Sequence, residues 1–445
     1  MKVAFVSLGC DKNTVDSEMM IGILADHGHT ICDDALNAEA VIVNSCCFIG
    51  DAKEESINTI LEMAALKQEG RLKAIIVTGC LGQRYTKEIH ENIPEVDAIL
   101  GINSFDRIAD TLDAIMQGHA SDCLRDINDT PIYGKKRLLT QGGYFAYLKI
   151  AEGCNKRCTY CVIPSVRGKY RSVPMEALLK EAETLVSGGV RELILVAQET
   201  TLYGVDIYGK KCLPELLHRL AAIEDLKWIR ILYCYPEEIT DELIDTIACE
   251  DKVCKYLDIP IQHGSDRILK AMNRATNREE ITAVIAKMRE KIPGIVLRTT
   301  FICGFPGESG KDFDELLSFI EEIRFDRLGI FTYSREEGTK AGAMPGQIPE
   351  FIKKRRRAKA MKLQQRIAFE NARLKTGSTC SVMIEGRLPE EGVYVGRTYM
   401  DAPGVDGCVF VESDRDMMSG DMIDVRITGA RGYDLVGEEI KEEEE

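Results

Sequence analysis

No stretch of this chain is apolar over the length a membrane span needs, about 20 residues. The longest apolar run near its start, Val3 to Leu8, is strand-sized and lacks the basic flank and cleavage site of a signal peptide. The chain is therefore expected to stay in the cytoplasm, with no membrane partner. Positive charge is scarce too: 57 Lys+Arg face 72 Asp+Glu, a net of −15. That balance argues against a generally basic protein that coats nucleic acid. The deficit is also uneven. From Gly377 to Glu445, 6 Lys+Arg stand against 17 Asp+Glu, a net of −11, which leaves residues 1–376 at only −4.

Cysteine, by contrast, is abundant, at 16 in 445 residues. A disulfide framework suits small secreted domains and not a chain long enough for two or three domains. Metal ligation is the better reason for some of these thiols, and the others fit as small buried hydrophobes.

Residues 1–120 alternate short apolar runs with helix-like segments. Lys2–Gly9, Ala40–Asn44, Lys73–Gly79 and Asp97–Gly101 read as strands, and Thr14–His27, Asp51–Glu69, Tyr85–Asn92 and Phe105–Gln117 as helices. Such alternation predicts an open parallel α/β sheet. Residues 121–142 are polar and read as a linker. Over 140–350, six further strands alternate with helices, including a single long one over Ile268–Lys291. That series predicts a partial (β/α)6 barrel with its site at the C-terminal strand ends. A basic helix, Phe351 to Leu374, follows. Its Lys353–Arg357 run reads as a nucleic-acid patch or as a solvated helix face. Over 377–441, alternating strands separated by Gly predict a small all-β domain, and Glu442–Glu445 an acidic disordered tail.

Just after the first barrel strand, Cys154, Cys158 and Cys161 stand with three and two residues between them. Thiolates are the usual ligands of iron–sulfur clusters, and a four-iron cube normally takes four. Three leave one iron open, where the amino and carboxylate groups of S-adenosylmethionine fit. A zinc site would want a fourth Cys or His nearby and a closed tetrahedron, and none sits at suitable spacing. A second set is dispersed in sequence but not in position. Cys10, Cys46 and Cys80 each follow a predicted strand of the N-terminal sheet, so all three fall along one rim. Chance burial explains one such placement easily and three poorly. Cys47 would point to the opposite face and is left out.

The Cys154–Cys161 motif resembles the radical S-adenosylmethionine superfamily. That resemblance implies Tyr160 near the adenine, with Gln198, Glu199 and Arg298 as further cofactor contacts. Gly304 and Gly307 belong to the same motif region but also fit as simple turn formers. With the second thiol set, the chain resembles the methylthiotransferases over nearly its whole length: an N-terminal three-cysteine domain, a radical core and a C-terminal domain like the one called TRAM. Within that group, Ser7-Leu-Gly-Cys10-Asp-Lys-Asn13, Ile163-Pro-Ser-Val-Arg167-Gly168-Lys169 and Gln262-His263-Gly-Ser-Asp266 are similar to the RimO-type branch.

The resemblance implies two [4Fe-4S] clusters and two S-adenosylmethionines. One methylates sulfur held on the N-terminal cluster, and the other yields a radical that opens an unactivated C–H bond to receive it. The implied substrate is an aspartate of small-subunit ribosomal protein twelve, and the implied electron donor a flavodoxin or ferredoxin. Long-range attraction from the acidic C-terminal domain favours such a basic protein over tRNA. Two other readings stand beside this one. A MiaB-like tRNA enzyme would need the Lys353–Arg357 helix as its basic surface, and a non-catalytic iron–sulfur protein would only bind the ribosome.

Overall fold

The computed structural model describes residues 1–390 and 392–440; Lys441 and the acidic run Glu442–Glu445 lie outside the described residues. The N-terminal sheet contains β1 (Lys2–Ser7), β2 (Thr30–Cys32), β3 (Ala40–Ser45), β4 (Ala74–Thr78) and β5 (Ala98–Leu100) in the order β2-β1-β3-β4-β5, all parallel. Every residue of β3 and β4 is buried, so both read as continuous apolar runs. The connectivity reverses between β1 and β3, and such a switch point opens a crevice at the carboxyl ends of the strands. Helix α1 (Asp11–Asp26) begins one turn earlier than its apolar pattern predicts, because the Asn13 and Thr14 amides already bond the Cys10 carbonyl at 2.8 and 3.1 Å.

The core contains β6 (Phe145–Lys149), a small antiparallel pair β7 (Ala151–Glu152) and β8 (Arg171–Ser172), then β9 (Glu192–Val196), β10 (Trp228–Ile231), β11 (Val253–Asp258), β12 (Val296–Cys303) and β13 (Arg327–Thr332). Its six-stranded sheet runs β13-β12-β11-β10-β9-β6, parallel and open, as a partial barrel. Leu193, Ile229, Leu257 and Leu297 pack under helices that include Met175–Ser187 and Gly310–Ile323. Alternate residues on the other face, among them Phe145, Ile194, Trp228, Tyr256 and Val296, pack against Met400 and Ala402 of the C-terminal unit. That unit is a closed barrel of β14 (Thr379–Leu388), β15 (Val393–Thr398), β16 (Val409–Glu412), β17 (Met422–Arg431) and β18 (Asp434–Glu439). Strand β18, Asp-Leu-Val-Gly-Glu-Glu, closes the barrel between β16 and β17.

Three expectations need correction. The single helix over Ile268–Lys291 is two, Asp266–Ala271 and Arg278–Lys291. Asn273 breaks it at a left-handed φ of 58°, which Asn tolerates better than most residues, and Asn277 restarts it with a capping box to Glu280. The linker over 121–142 is a strap. Its buried Arg137 donates at 2.6 Å both to Glu18 of α1 and to Glu181 of the core. The Lys353–Arg357 run is neither a free basic patch nor a wholly solvated face. Lys353 Nζ bonds the Tyr333 carbonyl at 2.7 Å, Arg356 pairs with Glu308 at 2.7 Å, and Arg357 Nε bonds the Ile330 carbonyl at 2.9 Å.

The core and the C-terminal barrel share a buried ionic trio: Glu192 accepts from Arg230 Nε at 2.7 Å and from Arg397 Nη2 at 2.6 Å. Replacing Glu192 by Ala leaves the Arg230 guanidinium buried without a counter-charge and Arg397 with Glu385 alone, at 2.8 Å, which is expected to cost about 3–5 kcal/mol. Trp228, the single tryptophan, has its ring 6.0 Å from the Arg397 guanidinium, so its fluorescence reports on this interface. A urea midpoint unchanged by Glu192→Ala would show that the interface does not rest on the trio.

Candidate iron–sulfur and cofactor site

The loop from Cys154 to Cys161 follows β7. Gly153, at a φ of 77°, lets the backbone turn into it; a Cβ there would stand 2.1 Å from the Lys169 carbonyl oxygen. The Cys154 amide bonds the Gly168 carbonyl at 3.1 Å. Lys156 reaches Glu237 at 3.2 Å and Glu238 at 2.5 Å, beyond the end of β10. The broken helix is the loop's socket: Thr159 bonds the carbonyls of Met272 and Ala271 at 3.0 and 2.9 Å, and Asn273 Nδ2 bonds that of Arg157 at 2.9 Å. Burial pushes the Cys154 thiol up to about 11 and that of Cys161 up to about 12, although the Lys156 and Ile163 amides point at these sulfurs. Uncoordinated, they stay protonated; a cationic iron centre would turn them into thiolates. The guanidinium of Arg274, in the same break, stands 3.9 Å from the Cys158 sulfur and stacks 4.2 Å from the Tyr235 ring. Neither Arg274 nor Tyr235 is marked by any sequence spacing.

Tyr160 lies beside Cys158 and packs on the cluster of Ile268, Met272, Phe305, Tyr333 and Ala341. Gln198 and Glu199 follow β9. Gln198 Nε2 donates to Glu152 at 2.9 Å, and Glu199 Oε1 accepts from the Thr201 amide at 3.2 Å. The amide oxygen of Gln198, Oε1, and the second carboxyl oxygen of Glu199, Oε2, are buried with no hydrogen-bond partner. Two unpaired buried polar atoms at the rim, an amide oxygen and a carboxyl oxygen, fit a ligand rich in hydroxyl, amino and carboxylate groups, as S-adenosylmethionine is. Arg298, third in β12, is paired with Asp258 at 2.8 Å and with Asp406 of the C-terminal barrel at 3.5 Å. Gly304 and Gly307 belong to a turn whose Gly304 amide bonds Glu308 at 2.6 Å.

The second thiol set converges at the switch point. Cys10 ends the loop after β1, Cys46 follows β3, and Cys80 lies in the short helix Gly79–Arg84 after β4. Gly9, at a φ of 94°, makes room for them: a Cβ there would sit 2.7 Å from the Cys46 Cβ and 2.9 Å from its sulfur. Burial, then the neighbouring Cys80, pushes the Cys46 thiol up to about 11, with Cys10 adding to the effect. The Cys47 thiol is engaged with the Cys80 carbonyl at 3.3 Å, among apolar residues. Among the described residues, no three His, Cys, Asp or Glu side chains are drawn together tightly enough for a single metal ion. Ligands on three corners of a cube sit wider apart than ligands around one ion, and an all-sulfur set is the donor chemistry of such clusters.

Sequence reasoning overlooked what joins the two sites. Arg167, whose side chain is 1% exposed, donates from Nε to the Cys80 sulfur at 3.2 Å, from Nη1 to Glu152 at 2.8 Å and from Nη2 to the Asn13 side chain at 2.5 Å. A cavity of about 630 Å³ lies where all three units meet, lined by Cys10, Asp11, Tyr233, Asp258, Arg298 and Glu385 among others. Tyr233, at the end of β10, holds a φ of 61°, a strained conformation for an aromatic residue. Its hydroxyl donates to Asp11 at 3.2 Å, and Lys12 Nζ lies 3.2 Å from its ring centroid.

A partial parallel barrel with three thiols in the loop after its first strand defines a radical S-adenosylmethionine enzyme. Residues 148–320 match the Radical SAM superfamily, residues 2–101 match Uncharacterized protein family UPF0004, and residues 376–440 match the TRAM domain. The chain is 55% identical over 437 residues to the ribosomal protein uS12 methylthiotransferase RimO of Lachnoclostridium phytofermentans, covering 98% of this chain and 99% of that one. It is 50% identical to the like-named protein of Pelotomaculum thermopropionicum, covering 99% of each chain. Among solved structures, the radical S-adenosylmethionine methyltransferase TsrM from Kitasatospora setae aligns with a TM-score of 0.57 at 14% identity, covering 91% of this chain and 82% of that one. The cobalamin-dependent radical enzyme OxsB aligns with a TM-score of 0.52 at 14% identity, covering 77% and 54%. Both are likenesses of fold. The chain belongs to the RimO family of radical S-adenosylmethionine methylthiotransferases, and membership implies a [4Fe-4S] cluster and S-adenosylmethionine as cofactors.

Glu199 offers a pH test. Burial pushes its carboxyl up to about 8, with Glu238 and Glu237 adding to the effect against Thr201 and Lys156. The fold favours the neutral form, so this stability is fully present below the unfolded value near 4.5 and is lost as pH rises through about 8. The Glu199→Gln apoprotein is therefore expected to match wild type at pH 4.5 and to exceed it at pH 8 in thermal unfolding. Parallel pH curves for the two would contradict an uncharged Glu199.

Proposed function

We propose that this chain places a methylthio group on the β-carbon of an aspartate of ribosomal protein uS12, using two [4Fe-4S] clusters and two S-adenosylmethionines. In this reading Cys154, Cys158 and Cys161 hold the cluster that binds S-adenosylmethionine, Tyr160, Gln198 and Glu199 line the cofactor, and Cys10, Cys46 and Cys80 hold the cluster that carries sulfur. When bound, the cofactors supply a radical that opens an unactivated C–H bond, which no acid–base side chain could do. The protein's share is to position and to exclude water. The observation that carries the reading is that Cys10 lines the same cavity as Tyr233 and Arg298 of the core. A substrate loop entering there meets the N-terminal thiol site from the barrel side.

The substrate class rests on the relatives' names and on charge. Asp11, Asp258 and Glu385 line the cavity with one cation, Arg298, and the C-terminal segment carries a net of −11. This field attracts a basic protein and repels a phosphate backbone. The tRNA reading needed the Lys353–Arg357 helix as its basic surface, and three of those five cations are bound to the core. The electron donor in this proposal is a flavodoxin or ferredoxin.

Anaerobic turnover with reductant and S-adenosylmethionine, offering uS12 and tRNA side by side, tests the substrate by mass spectrometry. A methylthio gain on uS12 is expected; a gain on tRNA alone would contradict the proposal. Cys158→Ala is expected to abolish product while iron falls by only about half, since one four-iron cluster remains. Complete loss of iron in that variant would show that the two thiol sets do not hold separate clusters.

A further inference from the structure

Fourteen residues of the core carry both the radical thiols and the guanidinium that touches the other thiol set: Cys154 through Cys161, a four-residue helix over Ile163–Val166, then Arg167. The Arg167 side chain crosses from the core into the N-terminal unit. Its three donor groups are taken by Cys80, by Glu152 and by Asn13 of α1. Asp16 of α1 stands 3.5 Å from Nη1. Glu152 in turn accepts from Lys149 at 3.1 Å and from Gln198 at 2.9 Å. A continuous chain of buried polar contacts therefore runs Gln198, Glu152, Arg167, Cys80, from the rim expected to hold S-adenosylmethionine to a thiol expected to hold the second cluster.

We propose that Arg167 is a positioning residue that sets the reduction potential of the N-terminal cluster, through its N–H···S bond to Cys80, and that Glu152 moderates its effect. This rests on Cys10, Cys46 and Cys80 holding that cluster. A hydrogen bond to a ligand sulfur and a nearby fixed cation both stabilise the reduced, more negative cluster, so they raise its potential. Glu152 holds Nη1 of the same guanidinium, while the sulfur is held by Nε, and its negative charge opposes that field. The low dielectric of a site this buried leaves both effects little screened. Packing alone would give Arg167 no reason to aim Nε at a sulfur; an apolar side chain of similar volume would fill the space without desolvating a charge.

The two residues act with opposite sign, and that separates tuning from damage. The test is a redox titration followed by electron paramagnetic resonance on the full chain. The background is a Cys154→Ala, Cys158→Ala, Cys161→Ala triple variant, so that only the N-terminal cluster contributes. In that background Arg167→Gln is expected to lower the potential, so that at a fixed potential the reduced-to-oxidised ratio falls by about tenfold, the change that accompanies a shift of about 59 mV for one electron. Glu152→Gln, which keeps shape and the Gln198 contact, is expected to raise the potential and shift the ratio the other way. Arg167→Lys keeps the charge but not the fork, and is expected to fall between wild type and Arg167→Gln.

Unchanged potentials in Arg167→Gln and Glu152→Gln, or shifts in the same direction, would overturn the proposal. If Arg167→Gln fails to assemble its cluster, the sign of the Glu152→Gln shift decides alone. A triple variant with no iron would remove the cluster assignment and the proposal with it. No substrate is present, so an error over uS12 leaves this test unaffected.

Discussion

Four charged side chains buried where the N-terminal unit meets the core hold the molecule's chemistry in place. Lys149 ends β6 and pairs with Asp16 of α1 and with Glu152; Arg167 pairs with Glu152 and Asp16. Each of the four side chains is 6% exposed or less. Two cations and two anions balance, and that balance is what makes their burial tolerable, because an uncompensated buried charge costs several kcal/mol. An apolar seam would join two domains as firmly, but it would accept many registers. In this one the charges pair in the register in which Arg167 meets Cys80 and Gln198 meets Glu152.

Both thiol sets follow from parallel-sheet geometry. Carboxyl ends of parallel strands lie along one rim, so residues scattered over seventy positions of sequence, from Cys10 to Cys80, come together there. The core repeats the arrangement with a compact loop, and the C-terminal barrel covers the concave face that a complete barrel would fill with its own side chains. The cavity is the space left over where these three solutions meet.

Much of this was legible in the residues. Buried strands such as Ala40–Ser45 and Ala74–Thr78 announce themselves as apolar runs, and the Cys154–Cys161 spacing carries its chemistry openly. What stayed hidden was decided by tertiary contacts. The break at Asn273 interrupts a strong helical pattern because the loop of Thr159 needs the carbonyls of Ala271 and Met272. Strand β18 carries few apolar residues, and it is its pairing with β16 and β17 that makes it a strand. Arg167 stands in the branch-like run Ile163–Lys169, but no periodicity records which sulfur a guanidinium will reach. Arg298 has cofactor-contact credentials in sequence, and the fold places it on the cavity wall with Asp258 and Asp406.

In the proposed function one chain holds two three-cysteine clusters, of which only one binds S-adenosylmethionine. Mössbauer spectroscopy on anaerobically reconstituted, iron-57-labelled wild-type protein, with and without S-adenosylmethionine, tests it most directly. The account predicts two four-iron clusters per chain, with one iron of one cluster changing its signal when S-adenosylmethionine is added. A single cluster per chain, or two that respond alike, would contradict it.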